Sequence, residues 1–190
     1  GVSIMWISLN IIQDMVDIKD IPVADIANRL TMSTAEIDSI EYSHELLKSI
    51  YTAKILEVTK HPNADKLTVC KVDTGKGVLQ VVCGAPNHKA GDIVALAPVG
   101  TKFTETFTVT KAKLRGVESE GMLCSERELG ISDDHSGIMV FPQNTPIGVT
   151  LAQLYPNLID VRLDIDNKSI THRPDLWSHT GFAREIAALF

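Results

Sequence analysis

The chain has 190 residues, 44% of them hydrophobic and 22% charged, with a formal net charge of −6. That is ordinary for a globular protein with room for one domain or two small ones, and no apolar run approaches the ~20 residues that cross a bilayer. Cys70, Cys83 and Cys124 are odd in number and lack a C-x-x-C pair, which argues against a disulfide framework or zinc knuckle and for a reducing cytoplasm.

The start lacks the basic region and cleavage site of a secretory leader, and Gly1–Ile4 reads as a non-native leader ahead of Met5. Ser8 or Asn10 is placed to cap a short helix carrying Ile11, Ile12, Met15 and Val16. Asp20 and Pro22 look like an N-cap and an early helical proline, opening a helix with Val23, Ile26, Ala27 and Leu30 inward. "AEIDSIEY" alternates as a strand. From about residue 50 to 142 the texture changes to short runs such as "YTAKILEV", "LTVCKVDT", "VLQVVCG", "DIVALAPVG", "ETFTVTKAKLRG" and "GIMVF". Turn signals at Pro62-Asn63, Gly75, Gly77, Pro86-Asn87 and Gly91-Asp92 separate them. About five or six strands in so short a stretch predict a small closed barrel.

After "NTPIG" comes a strand, "DVRLDID", and a final helix whose Phe182, Ile186, Leu189 and Phe190 share one face. The chain stops on that uncapped apolar face, which reads as part of a longer protein. The two flanks are each too short for a good core. The expected fold class is therefore α+β, a barrel at 44–150 inserted into a small discontinuous domain of 1–43 and 151–190.

Charge is uneven. Residues 1–43 carry two basic and seven acidic side chains, whereas residues 54–116 carry ten basic against five acidic. A basic block in an acidic chain suggests a face for a polyanion; lysines that protect strand edges are the competing explanation.

Little points to catalysis. Phosphate-loop, nucleophile-elbow and H-E-x-x-H motifs are absent. "SDDHSG" (132–137) reads as a turn in which Asp and Ser bond their own backbone. "HPNADKL" (61–67) reads as a corner between strands: Pro62 and Asn63 turn the chain, Asp65 accepts from nearby amides, and His61 and Lys66 project from strand ends. In "KLRGVESEGMLCSERELG" (113–130), Gly116 and Gly121 allow bends and Met122–Cys124 form an apolar strand. Ser125 and Glu128 make a capping box for a short helix that ends at Gly130.

Those residues carry a resemblance. "HPNADKLTVCKVDTG", "VVCGAPN" and "RGVESEGMLCSERELG" resemble the tRNA-binding OB-fold domain, and "MWISLNIIQDMVDI", "LTMSTAEIDSIE", "ELGISDDHSGIMVFP" and "ITHRPDLWSHTGFAREIAAL" are similar to the bacterial phenylalanyl-tRNA synthetase beta subunit family. Thr171-His172 stand where many members have Pro-Asn, and a glycine common in the early segment is replaced within "MSTAE". The resemblance implies an OB-fold barrel in the N-terminal region of a cytoplasmic ATP-dependent ligase with an α2β2 assembly. This segment would carry no catalytic or metal residue, with ATP and Mg2+ handled elsewhere and tRNA and the alpha subunit as partners. With aromatics at only 5%, phosphate contact by Lys60, Lys66, Lys71, Lys113 and Arg115, helped by Asn63 and Ser125, is expected over base reading. A stand-alone tRNA-binding module and a protein-interaction module are the alternatives; a hydrolase built on His61 and Asp65 comes last.

Overall fold

The computed structural model describes residues 5–190; Gly1–Ile4, and with them the leader reading, lie outside the described residues. The chain divides into two units, Gly1–Ser43 with Asn157–Phe190, and His44–Pro156.

The first unit begins with strand β1 (Met5–Ser8), which passes straight into helix α1 (Leu9–Gln13). Ser8 makes that junction. Its hydroxyl accepts from the Ile11 amide at 3.3 Å and donates to Asp160 at 2.6 Å. Helix α2 (Val23–Ser33) buries Ile26, Ala27 and Leu30, but Asp20 is not its N-cap. Pro22 occupies that position without a side-chain cap, and its carbonyl accepts from Asp25 and Ile26. Strand β2 (Ile37–Ser43) follows.

The second unit contains β3 (Tyr51–Lys60), β4 (Thr68–Asp73), β5 (Val78–Cys83), β6 (Ile93–Pro98), β7 (Ala112–Leu114), β8 (Val117–Ser119), β9 (Gly121–Leu123), β10 (Val140–Phe141) and helix α3 (Leu151–Leu154). A register shift between Ile55 and Glu57 bends β3, so that Tyr51–Lys54 pair with β6 and Lys54–Lys60 with β4. The antiparallel order is β10-β6-β3-β4-β5, with β9 also on β6. Between β5 and β9 the ring nearly closes. The Glu120 amide donates to the Gln80 carbonyl at 2.8 Å, and the Val82 amide donates to the Ser119 hydroxyl at 3.0 Å. The result is a nearly closed barrel of OB-like form, filled by Ile55, Val72, Val81, Val94, Leu96 and Leu123.

Two expected strands are shorter than their sequence runs. "GIMVF" forms a strand only at Val140–Phe141, and "ETFTVTKAKLRG" only at Ala112–Leu114, with a single bridge from Thr108 to Lys102 ahead of it. At the start of the latter the chain turns back on the residues before it, with the Phe103 amide donating to the Phe107 carbonyl. The helix expected after Ser125 is a single turn, in which Leu129 donates to Ser125 and Gly130 takes a left-handed φ of 69°.

The last segment completes the first unit with β11 (Asp160–Ile165) and α4 (His179–Leu189). β11 is the central strand of a three-stranded sheet, antiparallel to β1 on one side and β2 on the other. Its Leu163 and Ile165 meet Ile7, Ile12, Ile26, Leu30, Phe182 and Ile186 in the core. Ser178 caps α4 by accepting from the Gly181 amide. Among the described residues no helix is long and apolar enough to cross a membrane.

Candidate nucleic-acid interface

The corner at residues 61–67 is built around His61, which is 5% exposed. Its Nδ1 accepts from the Asn63 amide at 3.0 Å, and its Nε2 lies 2.9 Å from the Leu114 carbonyl. An amide only donates and a carbonyl only accepts, so the ring is assigned as the neutral Nε2–H tautomer. The expectation that His61 projects from its strand end is thus corrected: burial and two committed nitrogens make it a clasp. Asp65 does not cap the corner either. Among the described residues its carboxylate accepts no hydrogen bond; the ring of His61 takes that part, while the His61 amide donates to Leu67 and the Leu67 amide to Ala64.

The clasp reaches a hairpin. β7 and β8 are joined by Arg115 and Gly116, whose φ values of 46° and 97° are both left-handed. A two-residue turn of this kind matches the twist of the strands it links. Gly116 adopts it freely, but Arg115 does so at a cost of roughly 1–2 kcal/mol. Two external bonds hold the tip in place. His61 binds the Leu114 carbonyl, and Asn63 Nδ2 donates to the Arg115 carbonyl at 3.1 Å.

The clasp brings five of the seven expected site residues together. Lys60, Asn63 and Lys66 belong to the corner, and Lys113 and Arg115 to the hairpin it grips. All five are exposed. Among the described residues no carboxylate lies within 4.0 Å of the four cations, whereas Lys102 pairs with Glu105 and Lys111 with Glu118 and Glu120. Four cations on this clasped corner thus lack a carboxylate partner among the described residues.

The other two residues are placed differently. Lys71, on β4, donates to Gln80 on β5 at 2.8 Å, and Gln80 in turn donates to the Glu118 carbonyl. Ser125 is buried, and its hydroxyl and amide both donate to Glu128 Oε2, at 2.8 and 2.7 Å. The Glu128 amide returns a bond to the Ser125 hydroxyl, which completes the reciprocal cap expected from the sequence. The "SDDHSG" stretch is a turn as expected, with Asp134 accepting from the Ser136 amide and hydroxyl.

One constellation looks nucleophilic on paper. Cys83 Sγ lies 4.0 Å from His88 Nδ1, and His88 Nε2 bonds Thr68. Burial pushes the Cys83 thiol up and the His88 imidazole down, which disfavours the thiolate–imidazolium pair that activates such a cysteine. Burial likewise raises Cys70 to about 11 and Cys124 to about 12. These are core thiols. Among the described residues no group of three or more His, Cys, Asp or Glu is placed to hold a metal ion.

The role of His61 was missed in the sequence because its partner is 53 residues away. One signal was available: a two-residue turn ending in glycine, "RG" between "AKL" and "VES", marks a hairpin whose tip needs outside support.

A family described as "Putative tRNA binding domain" matches residues 50–150. The chain is 46% identical over 185 residues to the phenylalanine–tRNA ligase beta subunit of Syntrophotalea carbinolica, covering 97% of this chain and 22% of that protein. It is 44% identical over 188 residues to the corresponding subunit of Fusobacterium nucleatum, covering 98% and 23%. The chain therefore spans less than a quarter of the length of the curated relatives it matches. A solved structure, the MetRS related protein from Pyrococcus horikoshii, aligns with 53% of this chain and 86% of its own at 21% identity and a TM-score of 0.40.

Proposed function

This chain belongs to the tRNA-binding domain family, and we propose that its own work is to hold tRNA by phosphate contact within the beta subunit of a phenylalanine–tRNA ligase. The observation that carries this reading is the clasp. His61 and Asn63 fix a strained hairpin tip so that Lys60, Lys66, Lys113 and Arg115 share one corner without acidic partners. Lys71, Asn63 and Ser125 complete the candidate contacts, Ser125 by shaping its loop more than by direct touch.

On this reading the OB-like barrel is an insertion in a discontinuous α+β domain, a view supported by the division of the chain into two units. The whole enzyme would be a cytoplasmic α2β2 heterotetramer that joins phenylalanine to tRNA. Its ATP and Mg2+ would be handled outside this segment, and its alpha subunit would be a second partner.

Removing the charges tests the proposal. A Lys66→Ala, Lys113→Ala, Arg115→Ala triple variant should bind tRNA more weakly, and to a similar degree for different tRNAs, because phosphates carry no sequence information. The slope of log affinity against log salt should fall by about three units, one per lost contact. An unchanged affinity and slope on a folded variant would remove this corner from the RNA surface.

A further inference from the structure

A second feature of the barrel unit lies beside the Ser125 loop. A cleft of about 540 Å³ opens between the end of β5, strand β9 and the segment 135–138, within the range of small-molecule sites. Val82, Pro86, Met122 and Ile138 supply apolar wall, while Arg127, Glu128 and His135 supply its polar groups.

The walls are fixed before any ligand arrives. Asn87 grips Ile138 twice: its Nδ2 donates to the Ile138 carbonyl at 2.8 Å, and its Oδ1 accepts the Ile138 amide at 2.9 Å. A Cβ at Gly137 would strike that same Asn87 side chain, at 2.2 Å, so the close fit depends on glycine there. The Met139 amide donates to the Cys124 carbonyl, and the Arg127 amide to the Asp134 carbonyl. Glu128 is equally constrained. Its Oε2 accepts both the amide and the hydroxyl of Ser125, which sets the direction of the carboxylate and leaves Oε1 with no partner among the described residues.

We propose that this cleft receives one unpaired nucleobase of the bound RNA and that Glu128 Oε1 reads an exocyclic amine on it. An ionised carboxylate only accepts, so it matches the amino group of cytosine or adenine and meets the carbonyl edge of uracil with repulsion. The apolar walls suit a base lifted out of a stack. Arg127 has no ion pair within 4.0 Å among the described residues and stands ready for the flanking phosphate.

The cleft also connects with the charged corner. Gly84, Ala85 and Pro86 line both this cleft and a neighbouring one that contains Asp65, Lys66 and His88. A single strand laid across them would have phosphates at Lys66 and a base at Glu128. This inference rests on the RNA-binding reading above and adds base selection to it, at a position where phosphate contact alone gives none.

Short labelled oligocytidylate, oligoadenylate and oligouridylate, titrated against the 190-residue chain at one salt concentration, provide the test. The cytosine and adenine strands should bind about tenfold more tightly than the uracil strand. Glu128→Gln keeps an oxygen for Ser125 and turns an amide donor into the cleft, so it should reverse that order. Adding cytidine monophosphate should shift amide resonances within 122–138. Equal, salt-dependent binding of all three strands would overturn base reading while leaving the phosphate surface intact. Absence of RNA binding altogether would overturn both. An unchanged order in Glu128→Gln, or nucleotide-induced shifts confined to other segments, would also defeat the proposal.

Discussion

Replacing Gly181 with alanine is expected to disrupt the first unit more than any other small substitution there. Gly181 lies in the first turn of α4, where the preceding segment Pro174–Leu176 crosses it. A Cβ at this position would stand 1.7 Å from the Asp175 carbonyl oxygen and 2.8 Å from its carbon, so backbone and not a flexible side chain blocks it. The crossing segment has little room to retreat. Leu176 is fully buried, and Arg173 makes two bonds to the Asp175 carboxylate, at 2.8 and 2.9 Å, and a third to Glu185 on α4. Glu185 also accepts from Thr34, just past α2. Overpacking that forces such a backbone shift costs about 3 kcal/mol or more. Denaturant unfolding should show that loss. A Gly181→Ala protein as stable as the parent would refute the packing described.

His61→Ala should have the next largest effect, and its signature differs from that of removing a charge. The substitution strands the Asn63 amide and the Leu114 carbonyl and empties a buried ring site. Unmade bonds of this kind cost about 1–3 kcal/mol each, although water entering the corner recovers part. A net loss of about 2–3 kcal/mol is expected. The hairpin tip should loosen as well, visible as faster amide exchange in β7 and β8. Affinity for tRNA should fall because Lys113 and Arg115 lose their fixed place, yet the salt slope should stay near that of the parent since no cation is lost. A slope that drops by a full unit would instead make the imidazole, in its charged form, a phosphate contact.

Much of this molecule was legible in its sequence where the cause is local. Alternation gave most of the barrel strands, Ser8 and Asn10 marked the start of the first helix with Ser8 its cap, and the Ser125–Glu128 spacing described its own cap. What escaped depends on distant partners. Asp20 and Pro22 have the chemistry of a helix start, but the proline itself took the boundary. His61 reads as a side chain projecting from a strand end, and only the arrival of the Leu114 carbonyl from 53 residues downstream turns it inward as a clasp. Carboxylates often cap such turns, which points to Asp65 at this corner; the nearer acceptor is the histidine ring, two residues from the amide it holds. At the candidate interface, residue type identified the cations, but the ion pairs of Lys102 and Lys111 decide which charges remain unspent.

The placement of β11 has a consequence for how the chain is made. β1 and β2 are complete within the first 43 residues, yet neither pairs with the other; both pair with Asp160–Ile165. During synthesis those strands, and α2 between them, leave the ribosome more than a hundred residues before their common partner, so Ile7 of β1 and Ile26 and Leu30 of α2 emerge well ahead of the Leu163, Ile165 and Phe182 they pack with. The barrel strands all emerge in between and have their partners at hand, so that unit is able to fold first. The opening segment must wait through the whole of that event with two unpaired edges, and it is the part of the nascent chain most exposed to mispairing with a neighbour.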